Sequence, residues 1–230
     1  MQFFKNIFFN ISLVLAVLIG NIDNANASNT YRLMVFGDSL SAGYGVGPQN
    51  SFASLLEKTL HQKGYPHVVV INKSKSGETT AGGLNRLPQA LKSAQPDGVI
   101  LELGINDVLK GLSINEAEEN LSKMITLCRQ NKVSVLLVGM QAPPYAGIVY
   151  QRRFNKMYDR LADKYDLMLY PFFMKGLITL ESITQGGSEY LLSDNVHPNV
   201  QGIQLMVNNI LPFIEKFLKK NKIYPIKNRR

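Results

Sequence analysis

A hydroxyl, an imidazole and a carboxylate in line can transfer an acyl group. The hydroxyl attacks a carbonyl, the imidazole takes its proton, and the carboxylate orients the imidazole and stabilises its cation. The 230-residue chain offers one such set. Ser39 stands in VFGDSLSAGYGVG, where an apolar run stops at a glycine, a carboxylate and two serines. Of the three histidines, His61 closes an amphipathic helix and His67 opens a strand, so both read as rim or surface residues. His197 differs: it lies in LLSDNVHPN, three residues after Asp194, with Pro198 opening a helix behind it. Acid and base on one short loop allow the carboxylate to reach Nδ1 while Nε2 faces the serine.

The tetrahedral intermediate of acyl transfer also needs donors aimed at its oxygen, each worth roughly 3–4 kcal/mol. The candidates are the Ser39 backbone N–H, the N–H of Gly77 in KSGETT, and the side-chain amide of Asn106 in GIND. A glycine suits a backbone that approaches a substrate closely. Asparagine supplies a donor that does not titrate. Taken singly, each of these reads equally as a turn or a cap, Asp-x-x-His included. Their weight comes from their order after successive strands.

Those strands come from the hydrophobic pattern. Apolar, β-branched runs at 33–36, 67–72, 98–104, 133–139 and 167–170 alternate with helical spacing at 52–60, 84–94, 114–130, 151–164 and 200–218. Crossovers of that length imply a parallel sheet covered on both faces, a three-layer α/β/α sandwich with five parallel strands. Ligands of such sheets bind beyond the carboxyl ends of the strands, where this chain carries GDS, NKSKSGETT, GIND and GMQAPPYAG. Asp38 and Asp107 are read as loop-fixing, and Ser41 as part of a turn. A G-x-S-x-G elbow and a G-x-x-x-x-G-K-[ST] phosphate loop are both absent.

In that order, GDSLSAGYG, SGETTAGGL, LELGINDVLKG and DNVHPNVQG resemble the four signature blocks of the GDSL or SGNH hydrolase family. The likeness runs from Arg32 to about Leu218 and is nearest to a secreted bacterial branch of thioesterases, lysophospholipases and arylesterases. It implies the flavodoxin-like SGNH fold and a serine esterase acting on acyl thioesters, lysophospholipids or aryl esters without a cofactor. It also implies roles for Ser39, Gly77, Asn106 and His197. One departure is Gly104-Ile105-Asn106, where that branch commonly has two glycines before the asparagine. Ile105 is expected to reshape the wall beside the oxyanion donors. Tyr145 and Tyr150, in the segment 141–150, are expected to border an acyl groove.

Residues 1–27 have a lysine near the start, an apolar stretch and a closing Ala-Asn-Ala, the pattern of a cleaved secretory leader, so a periplasmic or secreted protein is expected. The remainder suits one hydrolase domain, 28–218. The net charge of +8 is concentrated at the end: residues 216–230 hold seven basic and no acidic residues, which leaves the rest at eight minus seven, or +1. A basic tail, 219–230, is therefore expected to stay solvated or to make weak contact with an anionic membrane surface. No nucleic-acid motif is present. The single Cys128 excludes an internal disulfide, and three scattered histidines argue against a metal site. A monomer acting on a small-molecule or lipid ester is the expectation. The rivals are an O-acetyl esterase acting on polysaccharide and a non-catalytic envelope-binding protein.

Overall fold

The computed structural model describes residues 30–178 and 188–226. The expected leader at 1–27 and the end of the tail at 227–230 lie outside the described residues. Strand β1 (Tyr31–Phe36) is buried at every position except Arg32, because parallel strands have helices on both faces and no side that can turn to water. With it pair β2 (Val68–Asn72), β3 (Gly98–Leu101), β4 (Ser134–Val138) and β5 (Met168–Tyr170), all parallel, in the order β2-β1-β3-β4-β5. The order reverses beside β1, between β1 and β3, and that switch opens a crevice at their carboxyl ends.

The helices are α1 (Ser39–Ala42), α2 (Phe52–Gln62), α3 (Thr80–Ala94), α4 (Ile105–Leu109), α5 (Ile114–Gln130), α6 (Ile148–Tyr165) and α7 (Val200–Lys220). Helices α2 and α7 pack together in one layer, and α3, α5 and α6 lie side by side in the other. Side chains cap the starts of five: Asp38, Ser51, Thr79, Ser113 and Asn199 accept from the N–H groups of Leu40, Ser54, Gly82, Glu116 and Gly202. The α/β sandwich with five parallel strands is as expected. Helix α3 begins four residues before the expected 84, since the Thr79 cap starts it ahead of the Gly82-Gly83 pair. Helix α6 begins at Ile148, three residues before the expected 151; Ile148 and Val149 are exposed and so give no apolar period.

The C-terminal boundary also shifts. Helix α7 continues past the expected 218 to Lys220, and Asn221 then binds the Phe217 carbonyl with its amide and accepts from the Ser134 hydroxyl. Ile223 packs against the core, and the Ile226 N–H donates to the Gly64 carbonyl at 2.7 Å. The first part of the basic tail is thus strapped to the domain by apolar and backbone contacts between its lysines. Cys128 is buried in α5, and burial pushes its thiol up to about 12. Among the described residues no helix is long and apolar enough to cross a membrane.

Candidate active site

Ser39 is the first residue of α1, three residues beyond the end of β1. The chain turns there because Asp38 caps the helix: its Oδ1 accepts from Leu40 N at 3.0 Å. His197 comes from a loop closed by the bridge between Leu191 and Pro198 and by the Leu192 N–H bonding the His197 carbonyl. In that loop Asp194 Oδ1 accepts the backbone N–H groups of Val196 and His197, both at 2.9 Å, and Oδ2 lies 2.7 Å from His197 Nδ1. His197 Nε2 lies 3.0 Å from Ser39 Oγ. The His197 backbone and ring N–H groups, with that of Val196, hold the Asp194 carboxyl down at about 2, so it is an anion at any working pH. The Tyr44 ring lies over the imidazole at 4.2 Å and limits its rotation.

The three candidate donors line one cleft from different elements. The N–H groups of Ser39 and Gly77 have no protein acceptor among the described residues. Gly77 has φ +74, a left-handed backbone that favours glycine, and no protein atom lies within 4 Å of the place a Cβ would take. The loop carrying it is pinned on both sides. Lys75 N donates to the Gly37 carbonyl, and Arg86, lying over the Phe36 ring, bonds both Glu78 Oε2 at 2.6 Å and the Lys73 carbonyl at 2.7 Å. Asn106, on the first turn of α4, gives one amide hydrogen to Asp38 Oδ2 at 3.0 Å, which leaves the other for the crevice. Asp107 accepts the Thr80 N–H and hydroxyl at 2.9 and 2.6 Å and thereby locks α4 to the start of α3. Both acids thus fix loops, as expected, and Asp38 also aims the Asn106 amide.

A cleft of about 260 Å³ opens over Ser39 and His197. Ser76, Gly77 and Asn106 form its polar side; Leu40, Ile105, Leu109, Met174 and Val196 line the rest, with Tyr44. A larger concavity of about 400 Å³, bordered by Arg129, Lys132, Asp166 and Lys220, contains no nucleophile and base together. Among the described residues no three His, Cys, Asp or Glu side chains gather as metal ligands.

The sequence profile of the GDSL-like Lipase/Acylhydrolase family matches residues 35–205, which holds every residue of this cleft. The chain belongs to that family. An arylesterase of Vibrio mimicus is 39% identical over 175 residues, 76% of this chain and 84% of its own. The thioesterase 1/protease 1/lysophospholipase L1 of Escherichia coli (strain K12) is 31% identical over 229 residues, 99% of each chain. The crystal structure of TesA superposes with a TM-score of 0.74 at 35% identity, covering 81% of this chain and 99% of its own. The expected carboxylic-ester hydrolase of GDSL or SGNH type thus holds at the level of the family.

Within this family member, Ser39, Gly77, Ile105, Asn106 and His197 line one cleft, and Asp194 bonds the His197 ring. Tyr145 and Tyr150 do not line the cleft. Tyr145 is 77% exposed on a 3₁₀ turn, and Tyr150 stacks on Phe154 with its hydroxyl toward the Leu112 carbonyl. Tyr44, Leu109, Met174 and Val196 went unread in the sequence; Tyr44, an aromatic between the glycines of the first block, was the one with a local signal.

Proposed function

We propose that the chain is an exported esterase that cleaves carboxylic esters and thioesters through an acyl-enzyme on Ser39. The single observation that carries this is the unbroken line from Asp194 to His197 to Ser39, at 2.7 and 3.0 Å, beside donors left free for an oxyanion. As Ser39 Oγ attacks the substrate carbonyl, His197 Nε2 takes its proton and Asp194 stabilises the imidazolium. The Ser39 and Gly77 N–H groups and the Asn106 amide hold the oxyanion. His197 then protonates the leaving alcohol or thiol, and water repeats the sequence on the acyl-enzyme. Every group in these steps is a side chain or backbone of this chain, so one protomer suffices.

The acyl group would lie along Leu40, Ile105, Leu109 and Met174, whose apolar surface favours hydrocarbon over a sugar. The names arylesterase and thioesterase/lysophospholipase borne by relatives agree with aryl esters, acyl thioesters and lysophospholipids as substrates. Export rests on the leader-like residues 1–27, and weak attraction to an anionic surface on the lysines and arginines of the tail. The test is covalent labelling by a fluorophosphonate followed by peptide mapping. Label on Ser39, lost in Ser39→Ala together with p-nitrophenyl acetate turnover but retained in Ser41→Ala, is expected. Label or turnover surviving in Ser39→Ala would overturn the assignment.

A further inference from the structure

Four acidic side chains are buried near the cleft, and three have their partners: Glu78 has Arg86, Asp107 has Thr80, and Asp38 has Leu40 N and the Asn106 amide. Glu102 is the fourth, fully buried just beyond β3, and the steps above do not use it. Its Oε2 accepts the Ser41 hydroxyl at 2.9 Å and the Asp38 N–H at 3.3 Å, and its Oε1 has no partner. Among the described residues no lysine or arginine pairs with it. The carboxyl fills the place a side chain would take at residue 37, since a Cβ there would stand 2.4 Å from Oε2.

We propose that Glu102, held as a neutral acid, is a positioning residue that sets the Gly37–Ser39 turn and, through Asp38, aims two of the three oxyanion donors. The inference rests on the oxyanion assignment made above. The Asp38 N–H has no backbone acceptor, so Glu102 Oε2 is what orients the peptide that leads into Ser39. The Ser41 hydroxyl, two residues after Ser39, ends on the same oxygen. One atom therefore ties down the chain on both sides of the nucleophile, and with it the Ser39 N–H. From Asp38 the order continues through Oδ2 to the Asn106 amide, the second donor.

The protonation state follows from the surroundings. Glu102 and Asp38 are adjacent and both fully buried, and among the described residues no lysine or arginine pairs with either. Two such carboxyls cannot both ionise. Asp38 accepts from Leu40 N and the Asn106 amide, donors that favour an anion, so the charge resides there and the proton on Glu102, where Oε1 is free to carry it. Burial and then the charge of Asp38 hold the Glu102 carboxyl well above the usual carboxylate range. A neutral acid can accept at Oε2 without placing a second negative charge beneath a site that must stabilise one.

The experiment compares Glu102→Gln, Glu102→Asp and Glu102→Met in the full chain. Its readouts are kcat and KM on p-nitrophenyl acetate, the Kd of phenylboronic acid as a tetrahedral mimic on the serine, and the infrared band of a protonated carboxyl. Gln keeps an acceptor at the same reach and should recover most of the kcat that Met loses. Asp is too short to reach the Asp38 N–H, and Asp and Met should lower kcat by about 10- to 100-fold, part of the loss of a whole oxyanion donor. KM should stay within about twofold, and the boronic acid Kd should rise by the same factor as kcat falls. The infrared band of the wild type should disappear in Gln. If Met fails to fold, the Gln and Asp variants still decide. Wild-type kcat per labelled active site in Met or Asp, or a loss in Gln as large as in Met, would overturn the proposal. Failure of the esterase reading itself would appear separately, as turnover in Ser39→Ala.

Discussion

Replacing Ile105 by alanine should shift the acyl-chain preference of the enzyme toward longer chains. Ile105 is the first residue of α4, half-buried, and its side chain walls the cleft between the turn at Gly104 and the Asn106 amide. The substitution removes three carbons from that wall while keeping a good helix former at the position, which a glycine would not. If two acyl methylenes enter the vacated space, each burial contributes ~0.8 kcal/mol, so the transition state for a long acyl group gains ~1.6 kcal/mol, or about 15-fold in kcat/KM. Ile105 also packs on the core, so any loosening of α4 will disturb Asn106 and lower the rate. That loss is common to all chain lengths and cancels in the ratio of kcat/KM for p-nitrophenyl octanoate to acetate. A ratio that rises several-fold supports the reasoning even if both rates fall. A ratio equal to wild type within error would refute it and leave Ile105 as an anchor of the helix.

Three further predictions concern charge and the chain end. Burial raises the Asp38 carboxyl to about 6, so between about pH 4 and 6 the folded state holds a proton that the unfolded chain has released. Stability should therefore fall as pH rises through that window, by at most about 3 kcal/mol. Urea unfolding at pH 4.5 and 6.5 should show a smaller fall in Asp38→Asn than in wild type; equal falls would place the titration elsewhere. Truncation after Leu218 should cost about 1–3 kcal/mol of stability by removing Ile223 and the Asn221 bonds while sparing kcat on p-nitrophenyl acetate, and an unchanged Tm would contradict the strapping described above. Removal of 227–230 alone should instead leave Tm unchanged and weaken binding to anionic vesicles, by roughly 1 kcal/mol for each of three basic residues.

The strands were legible because a parallel sheet buries both faces, so β1, β3 and β4 appear as unbroken apolar runs in the sequence. Their order was not, since periodicity records which residues are buried and not beside what; it followed only from the family likeness. Ser39, Gly77, Asn106, Asp194 and His197 were readable because each is a polar or glycine interruption where a strand or loop ends. Leu109, Met174 and Val196 were not, because an apolar residue in a loop looks the same whether it lines a cleft or meets solvent. Tyr145 and Tyr150 show the reverse: aromatics in a proline-rich loop suggested a groove, and neither is among the residues that line the cleft over Ser39. Glu102 had a signal that went unused, a lone acid in the apolar run GVILELG, where burial of a carboxyl is costly enough to require a reason.

The Asp194–His197 loop has a consequence for how the enzyme can change. Both oxygens of Asp194 are engaged within four residues, by Val196, the His197 backbone and the His197 ring, and the loop is closed on itself by Leu192 and Pro198. Acid and base therefore travel as a single rigid part, whose internal geometry owes nothing to the sheet. The 3.0 Å gap to Ser39, across 158 residues of sequence, and the Tyr44 ring against the imidazole join that part to the first block. Substitutions that tilt the whole loop alter that gap and leave the Asp194–His197 bonds in place, so lineages can drift in turnover rate while keeping one acid–base unit.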